Sequence, residues 1–376
     1  MVILILPDLY IYLRYVRPSG RGRWLKMSYW LPALLLILGV IYFSIFHDFH
    51  PESMHYLSYF ILVFICICIP KLVFTPVVMG VRPLSKRLHR RLYEEYLGIF
   101  CGLAVLVWIV YGATIGRQRF IVREVVAEFD NLPEAFDGYR VLQISDIHSG
   151  SWNNTDALSR AVDICNAQKP DIIVFTGDLV NNLSEEIDPF MPVLSRLYAP
   201  DGVYSVLGNH DYSMYINWSS QAERWDDILR LVEKERAMGW RVLNNEHEVV
   251  RRGGDSIVVA GVENWGKPPF PQRGDLQKAL HGTEGSFQLL LSHDPSHWRM
   301  KVLPETDVEL MLAGHTHEMQ FSIFGFSPAV FVYPEHNGLY REGARMLYVN
   351  IGLGYVMFPM RLGAWPEISV ITLKRK

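Results

Sequence analysis

The sequence predicts an α/β domain of two mixed β-sheets with helices outside, preceded by an all-α region that spans a membrane. Two observations support this prediction. Long apolar runs dominate the chain up to about residue 116, whereas short apolar runs alternate with helical patterns after it. Five clusters of polar residues also follow five of the short runs. We therefore expect a helical region at 1–116 and a mixed domain at 117–376.

The N-terminal region contains three apolar runs, Tyr29–Phe46, Tyr56–Val78 and Tyr96–Ile115. Each is close to the length of about 20 residues that a helix needs to cross a bilayer, so we predict three transmembrane helices. A shorter run, Val2–Tyr12, carries Pro7 and Asp8 and is interrupted at Arg14. It is either a truncated first span or an interfacial segment, which gives three to four spans.

The charges of the loops between these runs predict their orientation. Two loops are basic, and the loop between them carries Asp48 and Glu52 without lysine or arginine. Basic loops stay on the cytoplasmic side, so the domain after the last span is expected to be extracytoplasmic. The basic residues of the two loops are Arg14, Arg17, Arg21, Arg23 and Lys26, and Arg82, Lys86, Arg87, Arg90 and Arg91.

The overall composition excludes some classes of protein. The net charge of −3 offers no basic surface for nucleic acid, and half of the 376 residues are hydrophobic. The four cysteines lie in apolar spans or stand alone, so they predict no disulfide framework. Because the apolar runs predict membrane spans, the lipid bilayer is the first partner that the sequence predicts. The oligomeric state is left open.

The second half of the chain alternates short apolar runs with helical patterns. The runs that predict strands before the polar clusters are Arg140–Ser145, Asp171–Thr176, Val203–Leu207, Phe287–Leu291 and Val308–Ala313. The helical patterns are Asp156–Ala167, Asp188–Leu197 and Arg224–Met238. Antiparallel partners are predicted for Arg241–Val250 with Ser256–Val262, for Ala329–Tyr333 with Arg345–Asn350, and for Glu367–Leu373.

Histidines, acids and one asparagine are concentrated directly after these predicted strands. The clusters are Asp146-Ile147-His148, Gly177-Asp178, Gly208-Asn209-His210-Asp211, Ser292-His293-Asp294 and Gly314-His315-Thr316-His317. Any one of them alone is more typical of a turn than of a site. Together, at the strand ends where α/β sheets bind ligands, they predict a site for two metal ions.

The residue types suit this chemistry. Two divalent ions about 3.5–4 Å apart need a carboxylate that bridges them, and Asp178 is the natural bridge. One shell is predicted to contain Asp146, His148 and His317, and the other Asn209, His293 and His315. Nitrogen and oxygen ligands without cysteine suit Mn, Fe or Zn, and the sequence does not choose among these metals.

This order of motifs resembles that of the calcineurin-like metallophosphoesterases, over roughly Phe120 to the C-terminus. Leu132–Gly138 before the first motif and the tail Arg361–Ile368 are similar to the membrane-anchored bacterial phosphodiesterase-like branch. The resemblance implies a four-layer αββα sandwich and a place in a bacterial inner membrane. It also implies that His210 stands beside the leaving oxygen without binding metal and that Asp146 orients it.

The resemblance implies hydrolysis of a phosphoester, and the membrane region favours a lipid-linked or cell-envelope substrate. The alternatives are a general phosphodiesterase or nucleotidase, a UDP-diacylglucosamine-type pyrophosphohydrolase and a metal-binding sensor without catalysis. The pyrophosphohydrolases usually have arginine where this chain has His210. Aromatic side chains near Tyr212 and Phe270 either rim the site or pack within their own loops. Arg361, His336 and Tyr212 are the candidate substrate contacts.

Overall fold

The computed structural model describes residues 2–46, 50–87 and 93–376. Asp48, Arg90 and Arg91, which contribute to the loop-charge prediction, lie outside the described residues. The chain forms two compact units. One consists mainly of the residues up to Ile115, with Met357–Met360, and the other mainly of Gly116–Val356 and Arg361–Lys376.

In the described part of the first unit, the regular secondary structure is helical. Its α-helices are α1 (Val2–Ile11), α2 (Arg23–Ser28), α3 (Leu31–Ile45), α4 (Pro51–Arg87) and α5 (Tyr93–Thr114). Among the described residues, three helical segments are long and apolar enough to cross a membrane: Arg23–Ile45, Ser53–Pro83 and Tyr93–Gln118. The three apolar helices that were predicted are thereby confirmed. Helix α1 continues as a π-helical turn, Tyr12–Val16, and the two alternatives for this short segment stay predictions.

Partly buried ion pairs join α1 and the turn after it to the longer helices. Asp8 is almost fully buried, and its Oδ1 lies 2.8 Å from Nζ of Lys71 in α4. Tyr29 also donates a hydrogen bond of 3.0 Å to this oxygen. Just beyond α1, Nη2 of Arg14 lies 2.6 Å from Oε1 of Glu95 in α5. Because an unpaired charge is costly in an apolar environment, these pairs fix the first segment against its neighbours.

The second unit contains two mixed six-stranded sheets among its described residues. The first sheet has the order β1-β12-β2-β3-β4-β5 and the second the order β10-β11-β9-β8-β7-β6. The strands are β1 (Ile121–Phe129), β2 (Arg140–Ile144), β3 (Ile172–Phe175), β4 (Val203–Ser205), β5 (Arg241–Val242), β6 (Glu246–Arg252), β7 (Asp255–Gly261), β8 (Phe287–Leu291), β9 (Leu310–Ala313), β10 (Gly338–Glu342), β11 (Arg345–Val349) and β12 (Glu367–Arg375). Strands β2 to β5 are parallel, as are β7, β8 and β9.

Apolar side chains alternate between the two faces of each strand, which produces the layers. Val141 of β2 and Leu289 of β8 lie in one core between the sheets. Leu142, the next residue of β2, packs with Leu231 of a helix on the outer face. Leu290 of β8 likewise belongs to a separate outer core. The helices of this unit are α6 (Asp156–Ala167), α7 (Met191–Leu194), α8 (Gln221–Ala237), α9 (Leu276–Ala279) and α10 (Leu303–Glu305). The predicted α/β sandwich is confirmed.

The predicted strand Arg241–Val250 is wrong as a single element. Its beginning is β5 in the first sheet, and its end is β6 in the second. Asn245 separates them with a left-handed backbone, φ 60°. Its side chain fixes this crossing, because Oδ1 accepts from the backbone of Asp275 at 2.8 Å and Nδ2 donates to Glu263 at 2.8 Å.

Two other predicted elements also differ from the structure. The predicted strand Ala329–Tyr333 is a 3₁₀ helix, Pro328–Phe331, whose N-cap Ser327 accepts from the backbone of Ala329. The antiparallel partner of β11 is β10 instead. The predicted helix Asp188–Leu197 is reduced to α7, because Pro192 fits only the first turn of a helix and allows no longer N-terminal extension.

Candidate metal centre

The five polar clusters lie directly after β2, β3 and β4 of the first sheet and β8 and β9 of the second. Because these strands are parallel within each sheet, their carboxyl ends share one edge and the clusters meet there. Three groups of side chains place possible ligand atoms within 4.8 Å of one another. The groups are Asp146 with His148 and His317, His148 with Asp178 and His210, and Asp178 with His293 and His315.

Strained backbone positions the candidate ligands. Five of the predicted ligand residues have a positive φ, between 48° and 74°, which residues other than glycine rarely adopt. They are Asp146, His148, Asp178, His315 and His317. Such strain persists only where the surrounding structure requires it, and it is concentrated at functional sites.

Two glycines allow the turns to approach one another. A Cβ atom on Gly208 would collide with the carboxylate of Asp178, and one on Gly314 would collide with the side chains of Ser145 and Asp146. Glycine at these positions is therefore required by the close contact of neighbouring clusters. The motifs carry glycine beside the polar residues for this reason.

Ring nitrogens and carboxylate oxygens converge in the first group. Nε2 of His148 lies 3.0 Å from Nε2 of His317, which is itself 3.3 Å from Oδ1 of Asp146. Arg361 donates a hydrogen bond of 2.9 Å to Nδ1 of His317. An arginine can only donate, so in this arrangement the ring proton of His317 is on Nε2, and a divalent ion there would replace it.

Asp178 lies between this group and the second one. Its Oδ2 is 3.1 Å from Nε2 of His293 and 3.7 Å from Nε2 of His148. Nε2 of His293 is in turn 3.2 Å from Nδ1 of His315. Nδ2 of Asn209 donates to the hydroxyl of Tyr215 at 3.0 Å, and no donor in the described part of the chain reaches its buried Oδ1. A buried carbonyl oxygen that accepts no hydrogen bond is suited to coordinate a cation.

The electrostatics also fit a cation. Burial alone would raise the pKa of Asp178 and Asp146, but the nearby imidazoles outweigh it, and both pKa values are lowered. Burial opposes charge on His293 too, yet the carboxylate of Asp178 raises its pKa to about 10. Burial lowers the pKa of His148, His315 and His317. Ionised carboxylates beside imidazoles are a donor set for divalent metals, and a bound cation would displace the proton of His293.

Comparison with known proteins decides the family. A protein of Bacillus subtilis (strain 168), metallophosphoesterase YkuE, is 30% identical over 307 residues, which cover 77% of this chain and 99% of that protein. The profile of the family described as "Calcineurin-like phosphoesterase" matches residues 139–319. The chain belongs to the calcineurin-like metallophosphoesterases. It is therefore a metal-dependent hydrolase of phosphoesters.

Further comparisons with this metallophosphoesterase include one that covers its helical region. Residues 1–117 match the family described as "Probable Calcineurin-like phosphoesterase, transmembrane domain". A "Transmembrane protein with metallophosphoesterase domain" of Danio rerio is 33% identical over 279 residues, 72% of this chain and 61% of that protein. The chain thus spans about three fifths of that relative.

Among solved structures, that of TT1561 from Thermus thermophilus is similar to this chain with a TM-score of 0.38 and 17% sequence identity. The match covers 57% of this chain and 90% of that one.

In the metallophosphoesterase, His210 is held at the border of the cluster. Its Nδ1 lies 2.7 Å from the carbonyl oxygen of Asn181. Because a carbonyl oxygen can only accept, Nδ1 carries a proton and donates the hydrogen bond. The half-buried ring stands edge-on to His148, with 4.8 Å between centroids, and lies 4.7 Å from the ring of Tyr215. Asp146, expected to orient His210, instead accepts from Ser145 and from the backbone of His315. The partner of the imidazole is therefore a backbone carbonyl.

Asp211 is a structural contributor to the site that the sequence analysis did not single out. Its carboxylate accepts hydrogen bonds from the backbone of Asp178, Leu179 and Gly208, each at 2.8 Å, and of Val180 at 3.1 Å. Burial, and then the charge of Asp178, raise its pKa to about 7. The sequence indicated Asp211 only as the fourth residue of the motif Gly-Asn-His-Asp. Only the fold shows which backbone groups its carboxylate binds.

The predicted substrate contacts occupy different places. Arg361 is 0% exposed and donates to the carbonyls of Ile351 and Gly354 besides His317. The hydroxyl of the buried Tyr212 donates to Glu263 at 3.0 Å. Direct contact with substrate is therefore not expected of either residue, which corrects the expectation. His336 is half-buried, and its carbonyl accepts from Thr316.

Aromatic rings surround the second group. Phe270 stands edge-on to His315, with 4.9 Å between centroids, and the hydroxyl of Tyr333 lies 2.7 Å from Nε2 of His315. Tyr215 occupies the other side, between His210 and Asn209. These contacts place part of the expected aromatic rim against the candidate ligands. Tyr333 was not predicted, because the sequence analysis assigned it to a strand.

Proposed function

We propose that the chain is a dinuclear enzyme, a phosphodiesterase or phosphatase, whose substrate is a lipid-linked or cell-envelope phosphoester. The observation that carries the proposal is the position of Asp178, whose Oδ2 lies within 3.7 Å of ring nitrogens from both imidazole groups. A bridging carboxylate is what a pair of divalent ions requires. We retain 1–116 as the membrane region and 117–376 as the catalytic domain.

The geometry supports the ligand assignment made from the sequence. One ion would be held by Asp146, His148 and His317, the other by Asn209, His293 and His315, and both by Asp178. The donors are nitrogens and oxygens, so Mn, Fe or Zn would fit. When bound, such ions supply positive charge to phosphoryl oxygens and make water nucleophilic at neutral pH.

His210 would act on the leaving group. Its Nδ1–H is engaged by the carbonyl of Asn181, so Nε2 is the nitrogen that remains for proton transfer. In its protonated form Nε2–H can donate a hydrogen bond, and then the proton, to the oxygen that leaves. The contact with Asn181 keeps the ring in this orientation through the reaction.

Three features support a membrane-borne substrate outside the cytoplasm. The chain is a membrane protein, and aromatic rings stand against the candidate ligands, where an amphipathic molecule could bind. Basic residues on both sides of an acidic loop favour an extracytoplasmic catalytic domain, and we propose a bacterial inner membrane as its location.

A substrate screen tests the proposal. Full-length protein in detergent, supplied in turn with Mn²⁺, Fe²⁺ and Zn²⁺, would be assayed on a phospholipid, an undecaprenyl phosphoester, a sugar nucleotide and bis(p-nitrophenyl) phosphate. We expect hydrolysis of the nitrophenyl ester and faster hydrolysis of a lipid-linked ester. Preference for the sugar nucleotide would replace the lipid proposal by a nucleotidase or pyrophosphohydrolase. No hydrolysis by metal-loaded protein would contradict catalysis.

A further inference from the structure

An uncharged apolar segment follows the last metal-ligand motif. Residues 321–334 contain no acidic or basic side chain. We define Ile323–Val332 as the apolar loop. Phe324 is fully exposed and Phe331 is 80% exposed. Three further apolar side chains of the loop are also exposed, namely Phe326, Val330 and Val332. The surfaces of soluble proteins rarely expose so many apolar side chains together, and such patches mark interaction sites.

The structure holds these side chains outward. Ile323 and Phe326 form a β-bridge around a tight turn in which Phe324 has φ 51° and Gly325 has φ 80°. Ser327 at the base is buried and donates a 2.7 Å hydrogen bond to the carbonyl of Glu318. The buried Ala329 anchors the second half of the loop. The aromatic tips are thus presented by a fixed base.

The apolar loop is bounded by residues of the metal centre. It is preceded by the short helix His317–Gln320, which begins with a candidate ligand. It is followed by Tyr333, whose hydroxyl contacts Nε2 of His315 at 2.7 Å. Whatever the loop binds is therefore held within a few residues of the site.

The chain enters this unit at the same sheet edge as the metal centre. Strand β12 is antiparallel to β2, and Ser369 near its start pairs with Gln143 near the end of β2. Strand β1 is parallel to β12, with Ile121 paired to Glu367. The start of β1 therefore lies at the edge where β2 ends. The third apolar helical segment ends at Gln118, three residues before Ile121, so only a short connection separates it from the start of β1.

We propose that the apolar loop inserts into the bilayer that holds the spans, with lipid acyl chains around Phe324 and Phe331. The lack of charge in the loop and the short connection from the span to the site edge both favour lipid as the occupant. Insertion would hold the metal centre at the membrane surface, where the phosphoester of a lipid headgroup lies. The proposal goes beyond the proposed function, because it depends on neither metal nor substrate.

Photo-crosslinking of full-length protein in phosphatidylcholine proteoliposomes tests the insertion. Benzoylphenylalanine would replace Phe324 in one sample and Tyr198 in another. Tyr198 is a matched control, since it is 71% exposed and precedes β4, at the opposite edge of the sheet. We expect a lipid adduct at position 324 and none at 198, measured by mass spectrometry. An adduct at 324 to a second copy or to the chain's own helices, or no adduct, would overturn the proposal.

A second variant separates insertion from folding. With benzoylphenylalanine at position 331, Phe324→Asp and Phe326→Asp together should lower the yield of lipid adduct at least about fivefold. Tyr198→Asp should leave that yield unchanged. The apparent melting temperature should be the same in all three proteins, because the changed side chains contribute to exposed surface. An unchanged adduct yield in the double variant would contradict the role of the loop.

Discussion

At the scale of single residues, Asp178 has the most demanding position. It is buried, its backbone φ is 61°, and histidines from two groups surround its carboxylate. Its Oδ1 also accepts from the backbone of His210 at 2.9 Å. One carboxylate thus connects the candidate ligands with the residue proposed to act on the leaving group.

Asp178→Asn should release at least one divalent ion and lower turnover about a hundredfold or more, because the amide carries no charge to bridge two cations. Metal content, measured by mass spectrometry of the purified protein, checks this. Asp130→Asn, an exposed change after β1, is the control and should keep full metal content. Two ions at full occupancy in Asp178→Asn would contradict the bridging role.

His210→Ala should slow the hydrolysis of esters with poor leaving groups much more than that of nitrophenyl esters. An alkoxide needs a proton as it leaves, whereas nitrophenolate does not. Turnover on an alkyl phosphodiester and on bis(p-nitrophenyl) phosphate, with metal content measured in parallel, checks this. Equal losses on both esters would assign His210 a structural or metal-binding role instead.

At the scale of elements, helix α8 carries a buried acid behind the site. Glu235 is 0% exposed, and burial, followed by the charge of Asp211, raises its pKa from 4.5 to about 8. The folded protein keeps this proton up to about pH 8, whereas the unfolded chain loses it near pH 4.5. The free energy of unfolding contributed by Glu235 therefore falls as pH rises between these values.

Glu235→Gln should remove this fall, because glutamine is neutral at every pH in the window. From pH 5 to pH 8.5 the free energy of unfolding of the variant should fall less than that of the parent, by on the order of a few kcal/mol. The apparent melting temperature of the variant should therefore decline less over this range. Scanning calorimetry in detergent measures it. Parallel curves for the two proteins would mean that Glu235 is already ionised in the folded state.

Elements differ in how far the sequence predicts them. The strands before the polar clusters were predictable, because short apolar runs ending in glycine or acid leave few alternatives. Strand β1 was not predicted: it lies at a sheet edge and many of its side chains are exposed. The division of Arg241–Val250 between two sheets depends on the tertiary contacts of Asn245, which no local pattern contains.

The candidate site shows the same limit. The order of the motifs was enough to name the seven candidate ligands, and the fold brings them together, while their metal binding stays a prediction. The partners of these residues could not be predicted. The carbonyl of Asn181 binds the ring of His210, and the carboxylate of Asp211 binds the backbone N–H of Asp178. Both contacts involve the backbone of a turn in which Asp178 has a positive φ, and the local sequence pattern does not reveal that conformation.

At the scale of the whole molecule, the side of the membrane on which the catalytic domain lies decides which substrates it meets. Alkaline phosphatase fused after Lys376 should be active and a fluorescent protein there dark, because the two basic loops resist translocation. A fusion near Arg87, in the basic segment between the second and third spans, should show the reverse and serves as the control. A bright C-terminal fluorescent fusion would place the site in the cytoplasm, where sugar nucleotides and lipid precursors would become the leading substrates.

The central claim is that strand-end clusters of two sheets together hold two divalent ions. The most direct measurement is the metal-to-protein ratio of full-length protein reconstituted with Mn²⁺, Fe²⁺ or Zn²⁺ and freed of excess metal by gel filtration. We expect two ions per chain, falling to one or none when His148 and His293, one from each shell, are both replaced by alanine. A ratio of one or less in the parent protein, or an unchanged ratio of two in the double variant, would contradict the account.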